Sequence, residues 1–226
     1  MSSILALPAS FGEDLQKFQE ETQRFQQGRL SAAEYRSFRV PRGVYEQRES
    51  DTYMLRIRCP AGAVLPRQLR TLASVSRRYG NGVLHVTTRQ DIQVHRVRLG
   101  DLHPALVELR TAGLSTRGGG GNTVRNITGC GDAGVCPAEA FDISPYVIAL
   151  TESLLPDPLS YQLPRKYKLA FSGCSRDCAG ATVNDLGFLA KLHNGVRGFA
   201  VYVGGGMGAD SRVGQLFEPF VPVERI

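Results

Sequence analysis

Four of the five cysteines in this 226-residue chain form two close pairs, and this pattern restricts the fold more than any other feature. Cys130 and Cys136 lie in TGCGDAGVCPAEA, and Cys174 and Cys178 lie in FSGCSRDCAGA. Glycine and alanine surround both pairs, so the backbone can turn tightly there and offer N–H groups to a bound inorganic core. If both pairs bind one metal centre, the fold must bring together segments that are 37 residues apart.

The spacing within the pairs favours an iron–sulfur cluster over a zinc ion. Five residues separate Cys130 from Cys136 and three separate Cys174 from Cys178, whereas zinc sites usually place two residues between paired cysteines. A [4Fe–4S] cluster is held by four thiolates around a larger body. A structural zinc module and four buried thiols are the alternatives. Cys59, in RIRCPAG, is interpreted as a packed thiol.

The composition indicates a soluble, cytoplasmic protein without disulfides. Apolar residues make up 42% of the chain, which is enough for a packed core. No run approaches the ~18 apolar residues of a membrane-spanning helix, and the N-terminal MSSILALPASFGEDLQ lacks the basic segment of a secretory signal. Five cysteines are an odd number, and a reducing compartment keeps thiols free.

The net charge of +6 indicates an anionic partner. The cations are scattered arginines beside glycines or at strand edges, namely Arg56, Arg58, Arg89, Arg117, Arg125 and Arg165. Guanidinium groups bind carboxylates and oxyanions in fixed geometry, whereas nucleic-acid surfaces more often carry lysine runs with interleaved aromatic residues. We therefore expect a small anionic ligand, with no nucleic acid and no membrane as partners.

The hydrophobic pattern predicts the element order of a ferredoxin-like split βαβ unit. An amphipathic helix over 11–29 comes first and carries a stripe of phenylalanines. Strand, helix, strand, strand, helix and a last strand then follow over 51–60, 65–80, 82–88, 91–99, 102–113 and 114–117.

The run RGGGGN, residues 117–122, separates this unit from the cysteine-bearing half. Four glycines permit a close backbone approach to a ligand, and a flexible linker is the alternative. Beyond it the pattern predicts a helix at YVIALTESLL and strands at KYKLAFSG, DLGFLAKL and GFAVYVGGG. The predicted fold is α+β, with a helical extension over 1–43, a ferredoxin-like βαββαβ domain over 44–117 and an α/β domain over 118–226.

Several motifs occur in the order found in a known family of reductases. YMLRIRCPAG, VTTRQDIQVH, NTVRNITGC and RKYKLAFSGCSRDC, with both cysteine spacings, closely resemble the sirohaem- and [4Fe–4S]-dependent sulfite and nitrite reductases. The resemblance implies an oxidoreductase that reduces sulfite to sulfide with six electrons, and a domain over 118–226 that binds both cofactors. Nitrite reduction to ammonia and a non-catalytic iron–sulfur electron carrier or half-subunit are the alternatives.

The resemblance also implies roles for individual residues. The cluster ligands are Cys130, Cys136, Cys174 and Cys178. The thiolate of Cys178 also bridges to the sirohaem iron. The cations that bind the substrate are Arg56, Arg125, Lys166 and Lys168. The macrocycle and its carboxylates are held by Arg89, Asn122, Thr123 and Arg165.

The lysine pair in RKYK fits such a role on chemical grounds. Lys166 and Lys168 are two residues apart on a predicted strand, so their side chains point to one face. An ammonium group binds an oxyanion and donates protons, and neighbouring cations lower its pKa. A solvated strand edge is the alternative. The pair resembles the sulfite branch of the family more than the nitrite branch. His85 and His95 are interpreted as structural or hydrogen-bonding groups.

The sequence shows one copy of the reductase unit, and this predicts that the unit pairs with another. Most assimilatory members contain two copies, so we expect a homodimer or pairing with a second homologous unit. The C-terminal segment resembles one that normally continues into further helices, which suggests a fragment or a minimal version. VGGGMGAD, residues 203–210, is too weak a motif for a nucleotide site. Electrons are therefore expected from a separate donor such as ferredoxin or a flavoprotein.

Overall fold

The computed structural model describes residues 4–226, which form two compact units. Unit 1 contains residues 4–59, 63–123 and 152–166. Unit 2 contains residues 60–62, 124–151 and 167–226. The units differ from the predicted domains, because the N-terminal segment belongs to unit 1 and residues 152–166 return to it. None of the helices in residues 4–226 is long and apolar enough to cross a membrane.

Unit 1 begins with two helices, α1 (Phe11–Gln26) and α2 (Ala32–Arg39). The predicted helix over 11–29 thus ends earlier, and α2 was not predicted. A capping box starts α2, since the Ser31 hydroxyl accepts from the Glu34 N–H (3.2 Å) and the Glu34 carboxylate accepts from the Ser31 N–H (2.8 Å).

The remaining elements of unit 1 are a four-stranded antiparallel sheet and two helices. The strands are β1 (Val44–Glu46), β2 (Thr52–Ile57), β3 (Leu84–Val86) and β4 (Ile92–Arg98), in the order β1-β2-β4-β3. The helices are α3 (Pro66–Tyr79) and α4 (Leu102–Thr111). The predicted ferredoxin-like order of strands and helices over 51–113 is confirmed.

The predicted last strand over 114–117 is wrong. Ser115 forms only an isolated bridge to Arg58, with the Arg58 N–H donating to the Ser115 carbonyl at 2.9 Å. Further along the same edge of β2, the Arg56 N–H donates to the Gly43 carbonyl at 2.9 Å, and β1 follows. Ser115 and strand β1 therefore lie along different parts of the same edge of β2, and neither segment pairs with the whole edge.

The apolar faces of the sheet and helices form the core of unit 1. Its fully buried members include Phe18, Leu55, Ile57, Leu72, Val94, Leu102 and Leu109. Cys59 lies in this core as a packed thiol, as predicted. Burial, and then the nearby Asp91 carboxylate, raises the pKa of Cys59 to about 12, so this thiol stays protonated.

Unit 2 contains a second four-stranded sheet. Its strands are β5 (Leu169–Ser172), β6 (Leu186–His193), β7 (Val196–Val203) and β8 (Gln215–Pro222), in chain order across the sheet. The pair β5–β6 is parallel and the others are antiparallel. Helix α5 (Ser144–Leu154) begins in this unit. Its Tyr146 joins Phe141 and Phe199 in an aromatic cluster with ring centroids 5.3–5.5 Å apart.

Candidate metal centre and neighbouring cations

The pairing between β5 and the segment before Cys130 brings the two cysteine pairs together in unit 2. The Thr128 carbonyl accepts from the Phe171 N–H at 2.9 Å, and Cys130 follows two residues later. At the end of β5 the Gly173 N–H donates to Cys130 Sγ at 3.2 Å. Cys174 is the next residue, so the register of this pairing sets the first and third cysteines side by side.

The turn that carries Cys136 is fixed to the same place. The Cys136 N–H donates to the Asp132 carbonyl at 2.9 Å, and Gly134 takes the positive φ of 83° that this turn requires. The Ala140 N–H then donates to the Gly173 carbonyl at 2.7 Å. Gly173 therefore hydrogen-bonds both Cys130 and Ala140, which lie on either side of Cys136 in the chain.

The loop from Cys174 to Cys178 is shaped by Asp177, which the sequence analysis did not single out. The Asp177 carboxylate accepts from the Ser172 hydroxyl (2.5 Å) and the Ala181 N–H (2.6 Å). It also accepts from the Thr182 N–H (3.0 Å) and hydroxyl (2.7 Å). Burial opposes ionisation, but these hydrogen bonds outweigh it and lower the pKa of Asp177. Asp177 adopts a positive φ of 50°, which aspartate tolerates better than most residues, and no pattern in the sequence marks it.

The four thiols differ in exposure, and the guanidinium of Arg176 lies near three of them. Three of them are buried and Cys178 is exposed. Arg176 Nη2 donates to Cys136 Sγ at 3.4 Å, and the same guanidinium lies near enough to Cys174 to interact with its charge. The backbone N–H of Arg176 lowers the pKa of Cys174, and the guanidinium adds to this effect against the opposing effect of burial. The thiolate, which is the metal-binding form, is thereby favoured.

This donor set fits a cluster. Among residues 4–226, no three His, Cys, Asp or Glu side chains are grouped for a single metal ion. Backbone and guanidinium N–H groups donate to the sulfurs of Cys130 and Cys136, and Cys178 lies close enough to Cys174 and Cys130 to interact with their charges. Thiolate ligation with N–H···S hydrogen bonds is the environment of an iron–sulfur cluster.

Arg56, one of the predicted substrate-binding cations, is held in a fixed position in unit 1. Its guanidinium donates to the Gly119 carbonyl (3.2 Å) and lies 5.0 Å from the centre of the Tyr45 ring. With the Gln93 amide oriented to donate to His95 Nε2 (3.1 Å), its oxygen accepts from Arg56 Nη2 (3.0 Å) and Nε (3.1 Å). Gln93 was missed by the sequence analysis.

The glycine run lies against this cation. Gly119 and Gly120 are buried, and a side chain at Gly120 would collide with the Tyr45 hydroxyl and the Val40 carbonyl. The run is therefore closely packed, and the flexible-linker interpretation is wrong. The buried Thr123 hydroxyl donates to the carbonyls of Gly118 and Gly120 at 3.0 Å each.

The two units divide the predicted site residues between them. Unit 1 holds Arg56, Arg89, Asn122, Thr123, Arg165 and Lys166. Unit 2 holds Arg125, Lys168 and the four cysteines. Arg56, Arg89, Arg125 and Lys168 are half-buried, while Asn122, Arg165 and Lys166 are exposed. The Asn122 amide donates to the Pro164 carbonyl at 3.2 Å.

The prediction that both lysines lie on a strand is wrong. Strand β5 begins at Leu169, and Tyr167 forms only an isolated parallel bridge to Val124. The Lys168 N–H donates to the Asp185 carboxylate at 2.7 Å, which fixes the backbone just before β5.

His95 is a hydrogen-bonding group, which is one of the two roles predicted for it. His95 Nδ1 lies 3.0 Å from Gln47 Nε2, and its other ring nitrogen faces Gln93. The rings of His85 and His95 stand edge to face with centroids 5.9 Å apart. Burial, followed by His85 and Arg56, lowers the pKa of His95, which therefore favours the neutral ring.

The chain thus combines a ferredoxin-like unit that carries oriented cations with a unit that gathers four cysteines, and this defines an iron–sulfur redox protein. Residues 120–226 match the nitrite and sulphite reductase 4Fe–4S domain, and residues 45–112 match the nitrite/sulfite reductase ferredoxin-like half domain. The chain belongs to the nitrite and sulfite reductase family. Membership implies a [4Fe–4S] cluster and sirohaem as cofactors, as the sequence predicts.

The chain resembles relatives named as nitrite reductases and relatives named as sulfite reductases. The assimilatory ferredoxin-dependent nitrite reductase of Haloferax mediterranei is 36% identical over 199 residues, covering 80% of this chain and 34% of the relative. Sulfite reductase [ferredoxin] 2 of Mycolicibacterium paratuberculosis is 31% identical over 182 residues, covering 80% of this chain and 32% of the relative. The chain therefore spans about a third of the length of these curated relatives.

Two solved structures share the fold. The NirA protein of Mycobacterium tuberculosis superposes with a TM-score of 0.78 at 25% identity, over 86% of this chain and 39% of that one. Dissimilatory sulfite reductase I gives a TM-score of 0.69 at 15% identity, over 97% of this chain and 72% of that one, a likeness of fold alone.

Proposed function

We propose that this chain is a reductase unit that carries out the six-electron reduction of sulfite or nitrite. The observation that carries the proposal is the set of four neighbouring thiols in unit 2, at the positions that the family resemblance assigns to cluster ligands. In the proposed unit, Cys130, Cys136, Cys174 and Cys178 would hold a [4Fe–4S] cluster, and Cys178 would also help to hold sirohaem. The exposure of the Cys178 thiol supports this second contact.

The bound cofactors would supply the electrons, and the chain would supply binding and protons. Arg56 is suited to hold an oxyanion because its guanidinium is already oriented by Gln93 and Gly119. Arg125 would add a second guanidinium, and Lys166 and Lys168 would bind the oxyanion and donate protons to the departing oxygens. Arg89, Asn122, Thr123 and Arg165 are proposed to hold the macrocycle and its carboxylates.

The choice between the two substrates rests on two different observations. The lysine pair of RKYK resembles the sulfite branch. The relatives at 35–36% identity are named nitrite reductases, which favours nitrite. Their names also specify ferredoxin, so we propose a separate donor of that kind, with a flavoprotein as the alternative. A non-catalytic electron carrier is the alternative from another class.

The test is a product assay with anaerobically purified protein. Reduced methyl viologen supplies electrons, and sulfite or nitrite is offered separately while sulfide and ammonia are measured. We expect steady formation of one product, and its identity assigns the substrate. A Lys168→Met variant should lose most of this turnover, because it removes one proposed proton donor and cation. A protein that contains the cluster and sirohaem but forms neither product contradicts the proposal and supports the carrier.

A further inference from the structure

Arg176 interacts with both cysteine pairs, and the proposed function gives it no role. It lies inside the Cys174–Cys178 loop, yet its Nη2 reaches Cys136 Sγ of the other pair at 3.4 Å. The same guanidinium lies near enough to Cys174 and Cys178 to interact with their charges. One side chain therefore hydrogen-bonds one proposed ligand and places its positive charge near two others.

The Arg176 guanidinium donates to a cysteine sulfur, and the carboxylate next to it in the chain is hydrogen-bonded to other groups. Asp177 follows it in the chain, but the Asp177 carboxylate is held by Ser172, Ala181 and Thr182. Within residues 4–226, none of the ion pairs between side chains involves Arg176. The guanidinium is therefore not neutralised by an acid.

A cation beside thiolate ligands affects the redox equilibrium of a cluster. Reduction adds one negative charge, so a nearby positive charge stabilises the reduced state more than the oxidised state. N–H···S hydrogen bonds act in the same direction, since they stabilise electron density on sulfur. Loss of Arg176 should therefore make the cluster harder to reduce.

We propose that Arg176 is a positioning residue that raises the reduction potential of the cluster through its hydrogen bond to Cys136 and its positive charge beside the cysteine pairs. This inference rests on the proposed cluster ligands but not on the identity of the substrate. Arg176 would affect the transfer of electrons into the cluster, so the same effect is expected with sulfite and with nitrite.

The test is a redox titration of the cluster in the full chain, followed by electron paramagnetic resonance without substrate. The variants are Arg176→Lys, which keeps the charge, and Arg176→Gln, which keeps one N–H donor group. Arg212→Gln is the matched control, because Arg212 is an exposed arginine of unit 2 whose side chain pairs only weakly with Asp210, at 3.9 Å. Iron analysis of each sample confirms equal cluster content.

At a fixed applied potential near the wild-type midpoint, the ratio of reduced to oxidised cluster should fall by about tenfold in R176Q, a shift of about 59 mV for one electron. R176K should fall by less, and R212Q should match the wild type. Equal midpoints in R176Q and R212Q overturn the inference while leaving the proposed function intact. A wild-type chain that binds no cluster overturns the proposed function itself.

Discussion

The Arg56 guanidinium is fixed by the Gln93 amide, the Gly119 carbonyl and the Tyr45 ring, and this arrangement assigns Gln93 a measurable role. A Gln93→Leu variant keeps the volume but removes the acceptor for two N–H groups. We expect the KM for the oxyanion to rise by about tenfold, the equivalent of ~1.4 kcal/mol, because Arg56 is no longer held in one orientation. Gln23→Leu, at an exposed position of α1, is the control. An unchanged KM in Q93L would argue against this role.

The cysteines give a second prediction at the scale of residues. Serine at Cys130 or Cys174 removes a thiolate ligand, so bound iron should fall to less than about half of the wild-type content. Cys59→Ala should keep its iron, because Cys59 is a protonated thiol in the core of unit 1. Iron and acid-labile sulfide are measured after anaerobic purification. Equal iron loss in C59A and C174S would contradict the assignment of ligands.

The sequence motifs identified the cysteines but not Gln93, Asp177 or Arg176. Paired cysteines in glycine-rich turns carry their chemistry in their own spacing. Gln93 and Arg176 act through partners that are distant in sequence, such as Cys136 for Arg176, 40 residues away, whereas Asp177 binds groups four or five residues away. The Arg176 contact depends on the pairing of β5 with the segment before Cys130, and the Gln93 contact depends on the pairing of β2 with β4; no local pattern reveals either pairing.

At the scale of elements, the capping box of α2 predicts a pH-dependent stability. Ser31→Ala should lower the free energy of unfolding by about 1 kcal/mol at neutral pH. Hydrogen bonds from Ser31 lower the pKa of Glu34 in the folded state. Their stabilising contribution is therefore complete above the ordinary pKa of glutamate and is lost as the pH falls through the folded value. The difference between S31A and wild type should shrink in acid.

Urea denaturation at neutral and acidic pH measures this difference. Ser37→Ala in the same helix is the control, since the Ser37 hydroxyl only donates to the Ala33 carbonyl one turn earlier. We expect S37A to change stability by less than about 0.5 kcal/mol at either pH. A cost of S31A that stays constant with pH would contradict the role of Glu34.

The glycine run carries the second prediction for an element. Gly120→Ala places a methyl group against the Tyr45 hydroxyl and the Val40 carbonyl, so it should lower the free energy of unfolding by about 1–3 kcal/mol. Gly100→Ala is the control, because nothing lies within 4 Å of the added methyl group there. Calorimetric melting of both variants measures the difference. Equal stability of G120A and G100A would support a loosely packed run.

Strands β6 and β7 and helix α2 carry strong local sequence signals, whereas strand β8 does not. Strands β6 and β7 meet at Asn194-Gly195, a two-residue hairpin turn with φ of 50° and 78°. Helix α2 has a Ser31-x-x-Glu34 signature that was available but unused. Strand β8 contains Pro219, which argues against a central strand but is tolerated because β8 lies at the sheet edge.

At the scale of the whole molecule, the division into units could not be predicted from the chain order. Residues 152–166 belong to unit 1, although they follow the first cysteine pair in sequence. No shift in composition marks that return. The family resemblance did predict that one chain carries both the cations and the cysteines, and the matches to both reductase domains support this.

We expect this reductase unit to associate with a second one, because the family resemblance implies that two such units act together. We expect light scattering to give two copies of the chain per particle at the concentration used for activity, or one copy bound to a second homologous unit. Dilution should lower specific activity as the pair dissociates. A strict monomer that holds sirohaem and reduces the oxyanion at full rate would contradict this prediction.

The central claim is that the four thiols of unit 2 bind a [4Fe–4S] cluster next to sirohaem. The most direct measurement is the visible spectrum of anaerobically purified protein, combined with iron and acid-labile sulfide analysis. The account predicts isobacteriochlorin bands together with four cluster irons, four labile sulfides and one macrocycle iron per chain. A colourless protein that contains zinc at its cysteines would contradict it.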